Sequence, residues 1–190
     1  QDERYVRYQE TPYALEPNCK ESPGGLRDLQ VILWISRAAG LGDSWNDLAR
    51  RGFITRGEAL QLKGLEAFLR HARIRLHYLT ARREDRLLFD HQEAVANQFG
   101  IVAGRTRRAA EILMQRYFRT AKSITQLNTI LLQNLGAAIF PEKNKAPIVI
   151  NERFQMDHEL LDVRTEDVFD KTPPAVLESF LLMAQRPELK

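Results

Sequence analysis

A turn that carries Lys20 and Arg27 is the part of this sequence best suited to chemistry, and that chemistry is the binding of an anion. Residues 16–30 read EPNCKESPGGLRDLQ, and the two prolines and the Gly-Gly pair prevent a helix before Gly25. An apolar helical pattern starts directly afterwards, and a helix N-terminus offers unpaired N–H groups and a positive dipole. We therefore predict that the two basic side chains bind phosphate oxygens, assisted by N–H groups near Gly25 and Leu26.

The same turn also has a purely structural interpretation. In the functional interpretation Gly24 and Gly25 set the backbone, and Asp28 binds or orients Arg27 or assists at a metal. In the structural one the glycines only form the turn, Arg27 pairs with an acid, and Asp28 complements the helix dipole. The residues alone favour the structural interpretation. Cys19 is expected to be a small buried residue rather than a nucleophile, because no histidine lies near it in the sequence.

Hydrophobic periodicity predicts the helices that must position this turn. Ser44 and Asp90 suit helix caps, and Thr55 and Glu58 have the spacing of a capping box. Several amphipathic helices without strands between them indicate a mainly α fold, an antiparallel helical bundle. Apolar residues recur at helical intervals over 25–39, 44–51, 55–82, 90–99 and 105–135. A last helix is expected to start at Thr172-Pro173-Pro174, with Pro173 suited to its first turn.

The chain is expected to have three parts. Residues 1–24 form an extended lead-in, in which Tyr5, Val6 and Tyr8 suit a strand. Residues 25–140 form the helical bundle. Residues 141–190 form a linker, a small β-hairpin appendage and a helix, with short strands at 148–150, 154–156 and 160–163.

Composition bounds the size and the compartment of the protein. The 190 residues, 44% of them hydrophobic and 28% charged, suffice for one globular core with a small appendage. No apolar run approaches the roughly 20 residues of a membrane span, so we expect no membrane partner. Cys19 is the only cysteine, which excludes an internal disulfide and fits the reducing cytoplasm where we place the protein. Because the chain begins with Gln1 rather than methionine, we expect a piece of a longer protein.

Positive charge is concentrated in the first 140 residues, which carry 21 basic and 15 acidic side chains, against 7 and 10 in residues 141–190. Most of the arginines suit a solvated helical surface, and they would also suit a nucleotide or an acidic protein surface. Nucleic acid is not expected as a partner, because no recognised DNA-binding motif is present. The arginines form two clusters. One lies at the end of a predicted helix and contains Arg70, Arg73, Arg75, Arg82, Arg83 and Arg86, and the other lies at the start of the next long helix and contains Arg105, Arg107 and Arg108.

Residues 16–30 resemble the Pro-Asn-x-Lys-x-x-Pro-Gly-Gly-Leu-Arg-Asp-Leu segment of the bacterial PII uridylyltransferase/uridylyl-removing enzymes. The resemblance continues in order at residues 85–92, 151–154 and 160–180, so it covers nearly the whole chain. These bifunctional enzymes add UMP to the PII signalling protein and remove it again. Glutamine-synthetase adenylyltransferases carry a looser version of the segment, with Arg-Glu in place of Arg27-Asp28.

This resemblance implies a place for the chain within a larger enzyme of nitrogen regulation. The lead-in would follow a nucleotidyltransferase domain, and the last helix would precede a phosphohydrolase domain. The bundle would scaffold the transferase active site and help to present UTP or PII. For the parent enzyme the resemblance implies Mg²⁺ and UTP in catalysis, PII and the neighbouring domains as partners, and glutamine as effector. The arginine clusters would then face PII or a neighbouring domain.

Neither catalytic centre of that family is encoded in these residues. Its transferase holds Mg²⁺ with an Asp-x-Asp pair after a Gly-Ser turn, and the closest match here is residues 157–159. Its hydrolase resembles metal phosphohydrolases built on a His-Asp dipeptide, whereas residues 90–91 and 157–158 have the reverse order. His71 and His77 lie six apart on one predicted helix and do not share a face. We therefore assign no catalytic residue, metal ligand or bound cofactor to this chain and expect it to be inactive alone.

Two other functions stay open. The chain would alternatively be a helical interaction module without a nucleotide role, in which the turn is only structural. It would also suit the equivalent region of an adenylyl-transferring relative, although Arg27-Asp28 argues against this. Binding of UTP that depends on Arg27 would separate the first alternative from the main hypothesis.

Overall fold

The computed structural model describes residues 2–7, 11–140, 147–157 and 160–186. The chain divides between Phe140 and Pro141 into two compact units. The first unit is built from helices, and the second contains a small antiparallel sheet and helices, so the predicted mainly α fold is confirmed. Within the described ranges, no helix combines the length and the apolar character that crossing a membrane requires.

The long last helix of the first unit is the centre of its core. The helices of the described part of this unit are α1 (Asp2–Arg7), α2 (Leu26–Ala38), α3 (Trp45–Arg50), α4 (Arg56–Thr80), α5 (Phe89–Gln98) and α6 (Ala109–Ile139). Helices α2 and α5 pack along α6, and α3 packs against α4. The buried stripe of α6 recurs at helical spacing, as the sequence predicts: Leu113, Tyr117, Ala121, Ile124, Leu131 and Leu135.

The N-terminal segment contradicts the predicted strand, because Asp2–Arg7 form a helix. Tyr8, the last residue of that prediction, lies outside the described residues. The helix lets the side chains of Arg4 and Tyr5 hydrogen-bond to Asp28. Strand propensity measures mainly how well a side chain fits a pleated surface. Hydrogen bonds to a distant carboxylate decide the conformation here instead.

Local signals start α3 and α4 as the sequence predicts. The Ser44 hydroxyl accepts a hydrogen bond from the N–H of Asp47 at 3.2 Å. The Thr55 hydroxyl accepts from the N–H of Glu58 at 3.1 Å, and the Glu58 carboxylate accepts from the N–H of Thr55 at 2.7 Å. Both caps satisfy N–H groups that a helix start leaves without an internal partner.

The starts of α5 and α6 differ from the prediction. Helix α5 begins at Phe89 rather than at Asp90, and the N–H of Phe89 donates to Oε1 of Glu16 at 2.9 Å. Helix α6 begins at Ala109 rather than near residue 105. The arginines at 105–108 therefore precede the helix instead of lying within its first turn, where positive charge opposes the dipole.

An aromatic and arginine stack joins three helices of the first unit. Phe68 of α4 and Phe99, directly after α5, have ring centroids 5.4 Å apart. The Arg75 guanidinium lies 4.1 Å from the Phe99 centroid, and the Arg116 guanidinium of α6 lies 4.5 Å from that of Phe68. Cation–π contacts of this kind stabilise a fold modestly. Arg75, one of the clustered arginines, therefore has a structural role.

The second unit is a three-stranded antiparallel sheet with two helices. Its strands are β1 (Ile148–Val149), β2 (Phe154–Asp157) and β3 (Leu160–Val163), in the order β1-β2-β3, at the predicted positions. The helices α7 (Val168–Lys171) and α8 (Ala175–Gln185) follow, so the last helix begins after Pro174 rather than with Pro173 in its first turn. Buried Phe154 packs with Val168 and Ala175. The Arg153 guanidinium, next to Phe154, donates to the Glu178 carboxylate at 2.7 and 3.2 Å and so ties the sheet to α8.

Candidate phosphate-binding turn

The turn that precedes α2 is built by one asparagine. Oδ1 of Asn18 accepts the N–H groups of Lys20 at 3.0 Å and Glu21 at 2.8 Å, and its own N–H donates to the Ser22 hydroxyl at 2.9 Å. Such side-chain bonds to nearby N–H groups are the reason that asparagine favours turns. The conformation of residues 18–22 is therefore set locally.

The turn is also attached to the segment between α4 and α5. Asn18 and Arg86 form an antiparallel bridge. The N–H of Cys19 donates to the carbonyl of Asp85 at 2.8 Å, and the N–H of Leu87 donates to the carbonyl of Pro17 at 2.9 Å. Residues distant in sequence thus hold the turn in a fixed place on the bundle.

Both glycines of the turn are required by close approach of the backbone. Gly24 has φ +75°, and a Cβ on it would lie 2.3 Å from the carbonyl oxygen of Ala121 in α6. A Cβ on Gly25 would lie 2.7 Å from the carbonyl oxygens of Lys20 and Ser22. The first glycine lets the turn contact α6, and the second lets the turn close on itself.

Asp28 is buried, and its carboxylate fixes the turn. Its carboxylate accepts the N–H of Gly24 at 2.7 Å and the Tyr5 hydroxyl at 2.8 Å, and it pairs with Arg4. Arg4 also donates to the carbonyl of the turn at position 21 at 3.1 Å. Among the described residues, no group of three acidic, histidine or cysteine side chains is arranged to hold a metal ion.

The predicted assistance from backbone N–H groups is not available in this structure. The N–H of Gly25 donates to the carbonyl of Ser22 at 2.8 Å, and that of Leu26 donates to the carbonyl of Cys19 at 3.1 Å. The next N–H, of Arg27, donates to the Lys20 carbonyl at 2.8 Å. Carbonyl groups of the turn accept the N–H groups of the helix N-terminus, so only side chains are left to bind a phosphate.

Lys20 and Arg27 are brought together by one carboxylate. Nη2 of Arg27 lies 2.8 Å from Oε1 of Glu21, and Nζ of Lys20 lies 3.5 Å from the same oxygen. The hydrogen bond from Arg27 and the nearby Lys20 charge lower the pKa of Glu21, although partial burial opposes this. The hydrogen bond from Glu21 likewise raises the pKa of Arg27. Two cations therefore meet one anion at a partly exposed position.

Sequence reasoning missed the other neighbours of Arg27. Oε1 of Gln30 accepts from Nη1 of Arg27 at 3.1 Å, and the Trp34 ring centroid lies 5.2 Å from the guanidinium carbon. The signal was present, because residues three and seven positions after Arg27 lie on the same face of a helix. The acid expected to pair with Arg27 in the structural interpretation is Glu21.

A partly buried acid also holds the segment that pairs with the turn. Asp85 accepts from Nε of Arg73 at 2.7 Å, and its Oδ1 lies 3.0 Å from Nε2 of His77. Burial acts to raise the pKa of Asp85, but the hydrogen bonds from Arg73 and His77 outweigh it and the pKa lies below its ordinary value.

Cys19, next to this cluster, is fully buried, and burial with the Asp85 charge raises its pKa to about 12. The prediction that Cys19 is a buried residue is confirmed.

Comparisons with known proteins agree over the whole chain. Residues 1–132 match the family model of the GlnD PII-uridylyltransferase, and residues 154–190 match that of the uridylyltransferase GlnD third domain. A bifunctional uridylyltransferase/uridylyl-removing enzyme from Aromatoleum aromaticum is 63% identical over 190 residues, which are 100% of this chain and 22% of the relative. An enzyme of the same name from Nitrosospira multiformis is 56% identical over 190 residues, 100% of this chain and 21% of the relative.

The comparison with solved structures gave no significant match. The chain spans about a fifth of the length of the curated relatives that it matches. The GlnD PII-uridylyltransferase model nevertheless covers residues 1–132, well over half of the chain. The chain therefore belongs to the GlnD PII-uridylyltransferase family.

Proposed function

We propose that this chain is the helical region between the nucleotidyltransferase and phosphohydrolase domains of a bifunctional uridylyltransferase/uridylyl-removing enzyme. Relatives that are 63% and 56% identical over all of its residues carry that name. The match of residues 154–190 to a domain described as the third one of these enzymes supports an internal position. The matching family and these relatives are uridylyltransferases, so the adenylyl-transferring alternative is not retained.

The parent reaction in this proposal joins UMP to PII. A tyrosine hydroxyl oxygen of PII attacks the α-phosphorus of UTP, the bond to the β-phosphate oxygen breaks, pyrophosphate leaves, and the hydroxyl proton passes to a base. Mg²⁺, held by carboxylates of the nucleotidyltransferase domain, would stabilise the charge on the phosphates. The reverse function removes UMP by hydrolysis in the phosphohydrolase domain. Glutamine would act as the effector of the parent enzyme, in its cytoplasmic setting.

The role of this chain is to hold Lys20 and Arg27 where they bind phosphate oxygens of the nucleotide. The observation that carries this role is that Lys20 and Arg27 lie beside the same carboxylate, on a turn that is held by contacts on several sides. Buried Asp28 fixes the turn against α1, and Gly24 fixes it against α6. Cations placed in advance at developing negative charge are an effective form of transition-state stabilisation.

One observation favours the second candidate, a helical interaction module without a nucleotide role. Glu21 and Gln30 already accept hydrogen bonds from Nε, Nη1 and Nη2 of Arg27. In that function the turn is a structural device, and Arg27 completes an internal ion pair. The two candidates differ in whether an added phosphate competes with Glu21 for Arg27.

The test uses the full-length enzyme that contains this chain, with purified PII, UTP and Mg²⁺, and follows PII by intact-mass spectrometry. We expect Arg27→Ala to slow the addition of UMP about tenfold or more, because it removes a cation placed at the developing negative charge. Arg37→Ala is the matched control, because Arg37 lies in the last turn of the same helix and forms an exposed pair with Asp43. It removes the same charge from α2 without touching the turn, and it should leave the rate unchanged.

Equal rates for the Arg27→Ala and Arg37→Ala enzymes would refute the phosphate role and leave the interaction module as the better function. Absence of any UMP addition by the unmodified enzyme would refute the parent activity itself. Thermal unfolding of both variants shows whether a lost rate reflects a lost fold.

A further inference from the structure

Trp34 is the exposed tryptophan of the first unit, and it lies beside the candidate turn. The chain has two tryptophans. Trp45 is 3% exposed, and its Nε1 donates to Glu66 at 3.0 Å, whereas Trp34 is 52% exposed. A half-exposed indole leaves a large flat apolar surface in water, which a stacking ligand would cover favourably.

The side chains around Trp34 are arranged in a fixed order along α2. The guanidinium of Arg27 lies over the indole at 5.2 Å, and Gln30, between the two in sequence, holds Nη1 of the same guanidinium at 3.1 Å. Positions 27, 30 and 34 share one helix face. Glu21 fixes the other side of the guanidinium, so Arg27 is held in place before any ligand arrives.

This order matches the order of groups in a nucleotide. Lys20 and Arg27, which share a single carboxylate, give an excess of positive charge at one end, suited to phosphates. The indole belongs to a residue seven positions further along α2, its ring centroid lies 5.2 Å from the guanidinium carbon of Arg27, and it suits a flat heteroaromatic ring. Gln30, between the two in sequence, binds Arg27 through Oε1, and its Nε2 carries N–H donors suited to a carbonyl oxygen of the base or a sugar hydroxyl.

We propose that Lys20, Arg27, Gln30 and Trp34 form a mononucleotide-binding surface on which the base stacks on Trp34. The proposal rests on the phosphate role of Lys20 and Arg27 described above and adds a base subsite to it. The excess of positive charge favours a charged nucleotide over an apolar peptide as the occupant. Because stacking on an indole tolerates different bases, this subsite adds affinity more than base selectivity.

The experiment titrates UTP, uridine and inorganic tripolyphosphate into this chain. Binding is measured by calorimetry, and tryptophan emission reports on Trp34 directly. We expect UTP to bind about tenfold more tightly than tripolyphosphate and to quench the emission. Trp34→Leu should reduce UTP affinity to that of tripolyphosphate without changing tripolyphosphate binding. The emission of that variant comes from buried Trp45 and should not respond to UTP.

The outcomes separate the base subsite from the phosphate role. Equal affinities for UTP and tripolyphosphate, lost in Arg27→Ala but unchanged in Trp34→Leu, would overturn the base subsite and keep the phosphate role. Absence of Arg27-dependent binding of either ligand would overturn both. Equal losses in Arg37→Ala and Arg27→Ala would show non-specific attraction to a basic surface and would also overturn both. Urea unfolding of Trp34→Leu verifies that an exposed substitution leaves the fold intact.

Discussion

Gly24 makes the strongest stability prediction, because it combines an unfavourable backbone conformation with close approach of another helix. At φ +75° a residue with a Cβ costs about 1–2 kcal/mol relative to glycine. The added Cβ would also lie 2.3 Å from the oxygen and 2.6 Å from Cα of Ala121, both backbone atoms of α6. Overpacking of this kind costs about 1–3 kcal/mol. We expect Gly24→Ala to lower the free energy of unfolding of the first unit by about 2–5 kcal/mol.

Three other glycines separate the two contributions. Gly40 has φ +69°, and an added Cβ would have nothing within 4 Å, so Gly40→Ala should cost only the backbone contribution, about 1–2 kcal/mol. Gly25 has φ −83° and a close contact, so Gly25→Ala should cost only the overpacking contribution. Gly64 is exposed within α4 with nothing near it, so Gly64→Ala should stabilise by about 0.5–1 kcal/mol.

The assay is urea unfolding of the chain followed by tryptophan emission. Trp34 and Trp45 both belong to the first unit, so the signal reports on that unit alone. A loss for Gly24→Ala no larger than the loss for Gly40→Ala would refute the reasoning. It would mean that the turn is not pressed against the Ala121 backbone and that Lys20 and Arg27 are not held in the manner described.

Three further substitutions test the electrostatic contacts of the turn. Asp28→Asn should lower the free energy of unfolding by about 3 kcal/mol, because it leaves the charge of Arg4 without its buried partner; circular dichroism during urea unfolding measures this. The pKa of Asp85 lies below its ordinary value, so its stabilising effect is complete above about pH 4 and disappears on further acidification. Asp85→Asn should therefore show a smaller fall in stability between about pH 6 and about pH 2 than the unmodified chain. Glu21→Gln should increase tripolyphosphate affinity about fivefold, because the phosphate no longer has to displace Glu21 from a partly exposed ion pair with Arg27 that contributes about 1 kcal/mol. An unchanged or weaker affinity would show that Glu21 does not compete with phosphate.

Sequence signals predicted the start of a helix correctly where the capping side chain lies close in sequence to the N–H group that it accepts. Ser44 and Thr55 cap their helices through residues three positions away, so both caps could be predicted from the sequence. The start of α5 could not be predicted, because Glu16, which accepts the N–H of Phe89, lies 73 residues from it. The helix at the N-terminus was missed for the same reason, since its contacts with Asp28 cross more than twenty positions. Periodicity records which face is buried, but not which distant side chain completes a hydrogen bond.

In the candidate site, too, the sequence did not predict which groups would complete the hydrogen bonds, and these contacts change how a phosphate could bind. Residue types predicted two cations and a free helix N-terminus, but the carbonyls of the turn accept the N–H groups of that N-terminus. Glu21, unremarkable in the sequence, meets both cations once the turn is closed. A phosphate would therefore have to replace a carboxylate rather than occupy an empty site. Its affinity would be the difference between two charge-assisted interactions, which favours a doubly charged phosphate group over a singly charged carboxylate. In the proposed function, Glu21 thus makes the turn selective for polyphosphates over the carboxylates of acidic proteins.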